Sequence, residues 1–344
     1  MDTLLPSDGF ELIYVSDKDP GFSRSRLVSG FRYRRPDGSV VKDPKIIGRI
    51  EALGLPPAYE RVWICLDACG HLQATGYDVR GRKQYRYHDA WQQMRSREKF
   101  DQLSTFARSL PRIRRQIRRH MEGPIEDATT VLGALAALLD QAPLRIGNAT
   151  YVEENGTYGA ATLLKRHLKM QGEFIELSFK GKGGRRIRRR LRNLRLQRVL
   201  EEIADLPGRQ LFVFASSDGK TQPIDSGRFN RYLADMSGAA ISAKTFRTWA
   251  GSLAAFAVAR RALDEGVRPT IKEMCEAAAD VLHNTKAVCR KSYIHPDVLA
   301  LANGNDALSS RRRKNNKPVA GLRADELQLL RFLERNAKRA PRSP

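Results

Sequence analysis

Apolar and polar positions alternate along the first part of the chain and then give way to a longer period. Phe10-Glu-Leu-Ile-Tyr-Val15 and Phe31-Arg-Tyr-Arg-Arg have the two-residue rhythm of strands, and Pro36-Asp37-Gly38 supplies turn chemistry before Ser-Val-Val41. Val62-Trp-Ile-Cys-Leu66 predicts a buried strand, His71-Leu-Gln-Ala-Thr-Gly-Tyr77 another, and residues 43–53 a helix. Past Trp91, Phe100, Leu103, Phe106, Ala107 and Leu110 recur every three or four positions. Residues 125–139 continue in that style, with a capping signal at Thr129-Thr130. One hairpin interrupts the helices: Phe174-Ile-Glu-Leu-Ser-Phe179, then Lys-Gly-Lys-Gly-Gly184, then Arg185-Arg-Ile-Arg-Arg, with Gly181, Gly183 and Gly184 permitting a tight turn. Further helices are predicted over 194–204, 225–236, 248–265, 271–282 and 324–335, and 303–318 reads as a solvated linker.

The pattern predicts an α+β protein: a small N-terminal β-sheet domain (1–90), a mostly helical domain containing a short β-hairpin (91–302), and a basic linker and helix (303–344). The 344-residue length fits two domains of about 150 residues. A hydrophobic fraction of 41% is enough for real cores and argues against wholesale disorder. The longest apolar stretch, Val131-Leu-Gly-Ala-Leu-Ala-Ala-Leu-Leu139, is far short of the ~20 residues that span a membrane. Met1-Asp-Thr-Leu-Leu-Pro-Ser-Asp lacks the features of a secretory signal, so a cytoplasmic protein is expected. Four cysteines in a chain this long point to reduced thiols. Cys65, Cys69 and His71 have no second pair of ligands to complete a zinc site, so no metal is expected there.

Charge changes the picture most. With 61 Lys and Arg against 38 Asp and Glu, the formal net charge is +23, which suits a polyanionic partner. Residues 180–198 hold ten Lys or Arg and no acid, and 95–119 hold nine against Glu98 and Asp101. Two such runs favour phosphate contact over a merely solvated face. In Gly81-Arg-Lys-Gln-Tyr-Arg-Tyr-His88, Arg82, Lys83 and Arg86 are placed to meet phosphates and Gln84 to reach a base edge. Tyr85 and Tyr87 share a strand face, as a groove contact or one wall of a core.

Phosphoryl transfer on nucleic acid requires a nucleophile, cations around phosphorus and an acid for the leaving oxygen; arginines can supply the cations. No Walker-type loop or carboxylate cluster appears, which weakens ATPase and metal-nuclease readings. What does appear, in order, is Leu144-Arg145-Ile-Gly-Asn148 with Tyr151, Gly159 and Thr162-Leu163; Gly181-Lys182-Gly-Gly; Lys244-Thr-Phe-Arg247-Thr-Trp249; and Asn284-Thr-Lys-Ala-Val-Cys-Arg-Lys-Ser-Tyr293-Ile-His-Pro. Each motif alone has an ordinary structural explanation. Together, in this order, they resemble the type IB DNA topoisomerases, in the compact poxvirus-like form found in bacteria, over residues 10–296.

The resemblance implies relaxation of positive and negative supercoils without ATP, metal or any other cofactor, through a 3′-phosphotyrosyl intermediate. It implies Tyr293 as nucleophile, Arg145 and Arg247 on the non-bridging oxygens, Lys182 as general acid and Asn284 as a fifth residue. Poxviral and eukaryotic members carry His at the fifth position, whereas Asn occurs in some bacterial ones; Asn can donate a hydrogen bond but adds no charge. His283 is adjacent, and on a helix one residue turns a side chain by about 100°, which makes it structural or peripheral. Lys180 competes with Lys182, and only the Gly-Lys-Gly-Gly placement favours the latter. The resemblance also implies contacts to duplex DNA from Gln84, Tyr85, Tyr87, Tyr151 and Lys244, and a monomer that clamps DNA with residues 88–97 as hinge. Two alternatives remain. A tyrosine recombinase shares the Arg, Lys, Arg, Tyr logic but usually shows H-x-x-R where this chain has Lys244-x-x-Arg247. A non-enzymatic nucleoid protein accounts for the charge but not for Tyr293.

Overall fold

Alternation near the start of the chain produces strands β1 (Thr3–Leu4) and β2 (Leu12–Ile13), which pair with each other. Five more, β3 (Gly21–Arg26), β4 (Phe31–Arg34), β5 (Glu60–Cys65), β6 (Leu72–Tyr77) and β7 (Lys83–Tyr87), form an antiparallel sheet in the order β4-β3-β5-β6-β7. The computed structural model describes residues 3–4, 11–215, 220–304 and 318–339. Of the strand expected over 10–15, only Leu12–Ile13 is extended and paired, and Phe10 lies outside the described residues. Helix α1 (Pro44–Ala52) starts where Asp43 accepts a hydrogen bond from the Lys45 amide at 2.8 Å, with proline just inside the start. The core of this part comprises Phe22, Tyr33, Val41, Ile50, Val62, Ile64 and Ala74. His71, weighed above as a metal ligand, accepts from the Val15 amide at 3.1 Å and stacks on Tyr14.

The chain divides into two compact units, one ending at Glu98 and the other beginning at Lys99. Helix α2 (Asp89–His120) crosses that boundary, so the stretch expected to act as a hinge is helical from Asp89 onward. The second unit continues with α3 (Ala128–Gln141), α4 (Ala149–Asn155), a three-stranded antiparallel sheet of β8 (Leu168–Gln171), β9 (Phe174–Lys180) and β10 (Arg186–Arg192), and α5 (Leu194–Asp205). A small pair, β11 (Val213–Ala215) and β12 (Thr221–Pro223), precedes α6 (Ser226–Ser237), α7 (Ala243–Asp264), α8 (Ile271–Leu282), α9 (Lys286–Ser292), α10 (Pro296–Ala300) and α11 (Ala324–Arg339).

Two boundaries differ from expectation in ways that matter. Helix α3 is capped by Asp127, whose side chain accepts from the Thr129 amide at 2.8 Å, and not by Thr129 or Thr130. Helix α7 begins at Ala243 rather than at 248, because the Thr245 hydroxyl accepts from the Ser242 amide at 3.2 Å and caps the helix there, and this places Arg247 inside its first turns.

Helix α11 buries Leu329, Leu330, Phe332 and Leu333 in the same core as Phe106 and Phe256. Arg114 on α2 ties it down, pairing with Asp140 at 2.8 Å and with Glu326, only 1% exposed, at 2.7 Å. Residues 305–317 of the expected linker lie outside the described residues. No helix among the described residues is long and apolar enough to cross a membrane.

Candidate active site

Arg145 lies in the short segment between α3 and α4. That segment is held against the turn at Gly159: the amides of Ala160 and Ala161 donate to the carbonyls of Arg145 and Ile146, both at 2.8 Å. The approach is close enough that a Cβ on Gly159 would stand 2.4 Å from the Gly147 nitrogen, while Gly147 itself has φ +89°. Glycine is therefore required at both positions. The backbone beneath Arg145 is fixed before any ligand arrives.

Arg247 projects from α7 and is 4% exposed. Its guanidinium donates to the carbonyl of Pro143, next to the Arg145 segment, and to that of Leu282, the last residue of α8, at 3.1 Å. Arg189 on β10 donates to the neighbouring carbonyl of Val281. Two guanidiniums thus occupy the electronegative end of α8. The chain then turns through His283, which is left-handed (φ 48°), and delivers Asn284, whose side-chain oxygen accepts from Arg145.

Tyr293 follows α9 and packs beside Arg247, whose guanidinium carbon is 5.1 Å from the centre of the phenol ring. Burial opposes ionisation of this phenol, but the charge and hydrogen bond of Arg247, with the charges of Arg145 and Lys244, outweigh it and hold the pKa below its ordinary value. Burial, and then the charge of Arg247, similarly lower that of Arg145. The Nε of Arg247 and the Nδ2 of Asn284 are buried donors without a partner among the described residues. Such donors are costly unless an acceptor is brought to them. An oxyanion suits both.

A family model described as eukaryotic DNA topoisomerase I, catalytic core, matches residues 88–314, and one described as bacterial DNA topoisomerase IB, N-terminal domain, matches residues 30–78. The chain belongs to the type IB DNA topoisomerase family. The DNA topoisomerase 1B of Acanthamoeba polyphaga mimivirus is 29% identical over 310 residues, spanning 87% of this chain and 92% of that one. The DNA topoisomerase 1 of Mycosarcoma maydis is 25% identical over 198 residues, 51% of this chain and 19% of that one. Among solved structures, XerH site-specific recombinase bound to difH substrate matches 57% of this chain and 52% of its own at 12% identity, with a TM-score of 0.35.

In this topoisomerase, Arg145 contacts Asn284, Arg247 contacts Tyr293, and the charges of both arginines bear on the phenol; Lys182 is not among these contacts. Lys182 stands exposed at the tip between β9 and β10. The hairpin nonetheless approaches the cluster, since the charge of Arg185 bears on both Arg145 and His283. His283 does not follow the helical rotation applied to it. The helical rotation used for it ends at Leu282, and the left-handed turn leaves its buried Nε2 facing Arg189, Arg247, Arg145 and Arg185. Burial first, and those charges next, keep its imidazole neutral to lower pH than usual.

The expected DNA-contact residues divide by unit. On β7, Tyr85 is 53% exposed and stacks on Tyr87 with ring centres 6.1 Å apart. Arg82 and Gln84 both bind Asp78, at 2.7 and 3.0 Å, and Lys83 pairs with Asp17, so carboxylates occupy these side chains in the free protein. In the second unit, Tyr151 on α4 and Lys244 in the first turn of α7 are exposed.

Two residues that sequence reasoning passed over shape the Tyr293 backbone. The fully buried Ser252 donates to the Tyr293 carbonyl at 3.2 Å and accepts from the His295 amide at 3.0 Å. Gly251 lets the helix approach so closely that a Cβ there would lie 2.7 Å from the Tyr293 carbonyl oxygen and 3.1 Å from its Cβ. A lone glycine inside a helical pattern was the available signal.

Proposed function

We propose that Tyr293 attacks a phosphodiester of one strand of duplex DNA. Its phenol gives up its proton to solvent and the phenolate oxygen forms a bond to phosphorus at the 3′ side as the bond to the 5′ oxygen breaks, and Lys182 gives that oxygen its proton. Arg145, Arg247 and Asn284 donate to the non-bridging oxygens, whose charge grows in the transition state. The free 5′-hydroxyl then reverses the step. The phosphotyrosyl ester retains the bond energy, so rotation of the free strand relaxes supercoils of either sign without ATP. The observation that carries this reading is the contact of a phenol of lowered pKa with Arg247, beside two buried donors that lack an acceptor among the described residues.

The division of labour follows the two parts of the chain. Residues 1–90 serve as a DNA clamp, with Arg82, Lys83, Gln84, Tyr85 and Tyr87 on the duplex, while 91–302 carry the chemistry and place Tyr151 and Lys244 on flanking DNA. The 303–344 segment adds a basic linker and helix. The protein works as a monomer on DNA in the cytoplasm. Opening of the Asp78 contacts to Arg82 and Gln84 accompanies binding, since phosphate competes for the same donors.

The test is relaxation of a supercoiled plasmid that lacks paired recombination sites, in the absence of ATP, followed by denaturing electrophoresis for DNA joined covalently to protein at its 3′ end. Relaxation with such an adduct is expected; an inert protein, or an adduct at the 5′ end, would overturn the reading.

Two substitutions follow from the local geometry. Gly251→Ala gains about 1 kcal/mol of helix propensity, yet its methyl displaces Tyr293. Adduct formation should slow by about 10- to 100-fold with the melting temperature nearly unchanged, because sub-ångström to 1 Å errors in a reacting group cost on that order. Asn284→Ala removes the acceptor that steadies Arg145 and should slow cleavage by about tenfold. In single-turnover assays, a loss larger than that of Arg247→Ala would reverse this ranking.

A further inference from the structure

Lys99 belongs to the basic run 95–119, but its surroundings set it apart from the other cations there. Its ammonium donates to the carbonyl of Ser292, the residue immediately before Tyr293, at 3.1 Å, and lies 3.9 Å from the centre of the Phe100 ring. It has no carboxylate within ion-pair distance among the described residues. Burial, and secondarily the like charge of Lys244, bring its pKa down to about 8. A half-buried cation without a counter-ion is kept in a fold at a cost, and here its hydrogen bond goes to the backbone that carries the phenol.

We propose that Lys99 is a positioning residue for the cleavage reaction, fixing the Ser292 peptide and hence the direction from which Tyr293 meets phosphorus. The inference rests on the reading of Tyr293 as nucleophile. Ser252 holds the Tyr293 carbonyl from α7, and Lys99 holds the preceding carbonyl from α2. Two successive peptides are thereby clamped by different helices. The segment after α9 has little freedom left to rotate the ring away from Arg247. A charged donor makes the stronger bond, so the clamp weakens when Lys99 loses its proton. The titratable groups facing it are Lys244 from α7 and His295 at the start of α10; burial keeps His295 neutral to lower pH than usual, and Asp101, on the same helix as Lys99, bears on His295 as well.

The test uses the full chain with Lys99→Met and Lys99→Arg, measuring adduct formation in a single turnover at saturating duplex DNA, DNA affinity and melting temperature. Lys99→Met is expected to form the adduct about 10- to 100-fold more slowly with affinity changed less than about threefold. Lys99→Arg should recover most of the rate. The ratio of wild-type to Lys99→Arg rates should fall as pH rises through about 8, because only the lysine discharges there. An unchanged rate for Lys99→Met at saturation, including a case in which affinity alone declines, overturns the proposal. So does a Lys99→Arg protein no faster than Lys99→Met. Should Lys99→Met fail to fold, the pH dependence of the wild-type to Lys99→Arg ratio decides, and a flat ratio counts against positioning. A wild-type protein that forms no adduct at all refutes instead the assignment of Tyr293.

Discussion

Tyr293→Phe is expected to form no covalent complex with DNA and to lose relaxation activity by at least about 10⁴-fold, the scale for deleting a nucleophile from a site whose other groups act with it. The substitution is mild in every other respect. The ring stays beside the Arg247 guanidinium, and the backbone contacts of Tyr293 to Cys289 and Ser252 involve no phenolic atom. Duplex affinity, measured by fluorescence anisotropy, should therefore remain within a few-fold of wild type. Loss of the contact between phenol and guanidinium should alter the melting temperature little, because burial offsets part of what that contact contributes. Persistence of an adduct in the phenylalanine protein would move the nucleophile elsewhere.

Arg247→Ala carries the second large effect and, unlike the first, shows itself in two measurements. Removing a donor aimed at a developing oxyanion slows the chemical step by about 10²- to 10³-fold. The same side chain also satisfies the carbonyls of Pro143 and Leu282 inside the protein, and an unpaired buried acceptor costs about 1–3 kcal/mol. The alanine protein should accordingly melt at a lower temperature as well as cleave slowly. Arg247→Lys separates the two contributions. An ammonium restores the charge but cannot donate along two divergent directions as a planar guanidinium does, so it should recover part of the rate and little of the stability. Single-turnover cleavage at saturating DNA with parallel thermal melts would check both expectations. Full activity in either variant contradicts the role given to Arg247.

The expected helix over 271–282 matches α8 residue for residue, because Thr270 and Glu273 make a capping box visible in the sequence and the apolar period is regular. The start of α7 was harder to see, since Lys244, Thr245 and Arg247 interrupt the apolar rhythm and only tertiary burial of Phe246 and Trp249 reveals the helical face. The strand pair of β11 and β12, together with α4, α9 and α10, escaped prediction; each is short, and propensity over three to seven residues is too weak a signal when packing supplies the stability. Within the candidate site, the residues with chemically distinctive side chains were legible from motif order. Gly251, Ser252 and Lys99 were not, because their importance lies in distance and burial, and nothing in a run of nine basic residues tells which are desolvated and which of those lack a carboxylate partner.

The Arg114 contacts of α11 bear on how the second unit comes into being. Arg114 and Glu326 are 212 positions apart, and the family model for the catalytic core ends at residue 314, before α11 begins. Yet Leu329 and Phe332 are fully enclosed in that unit's core. During synthesis, α2 emerges long before the helix that completes it, and a nascent chain lacking α11 leaves Arg114 and the apolar surface under Leu329 and Phe332 uncovered. The core of the unit is therefore complete only when translation has passed α11. A polymerising chain with much of its basic charge already exposed is thus still short of the interior that holds Phe106 and Phe256 in place.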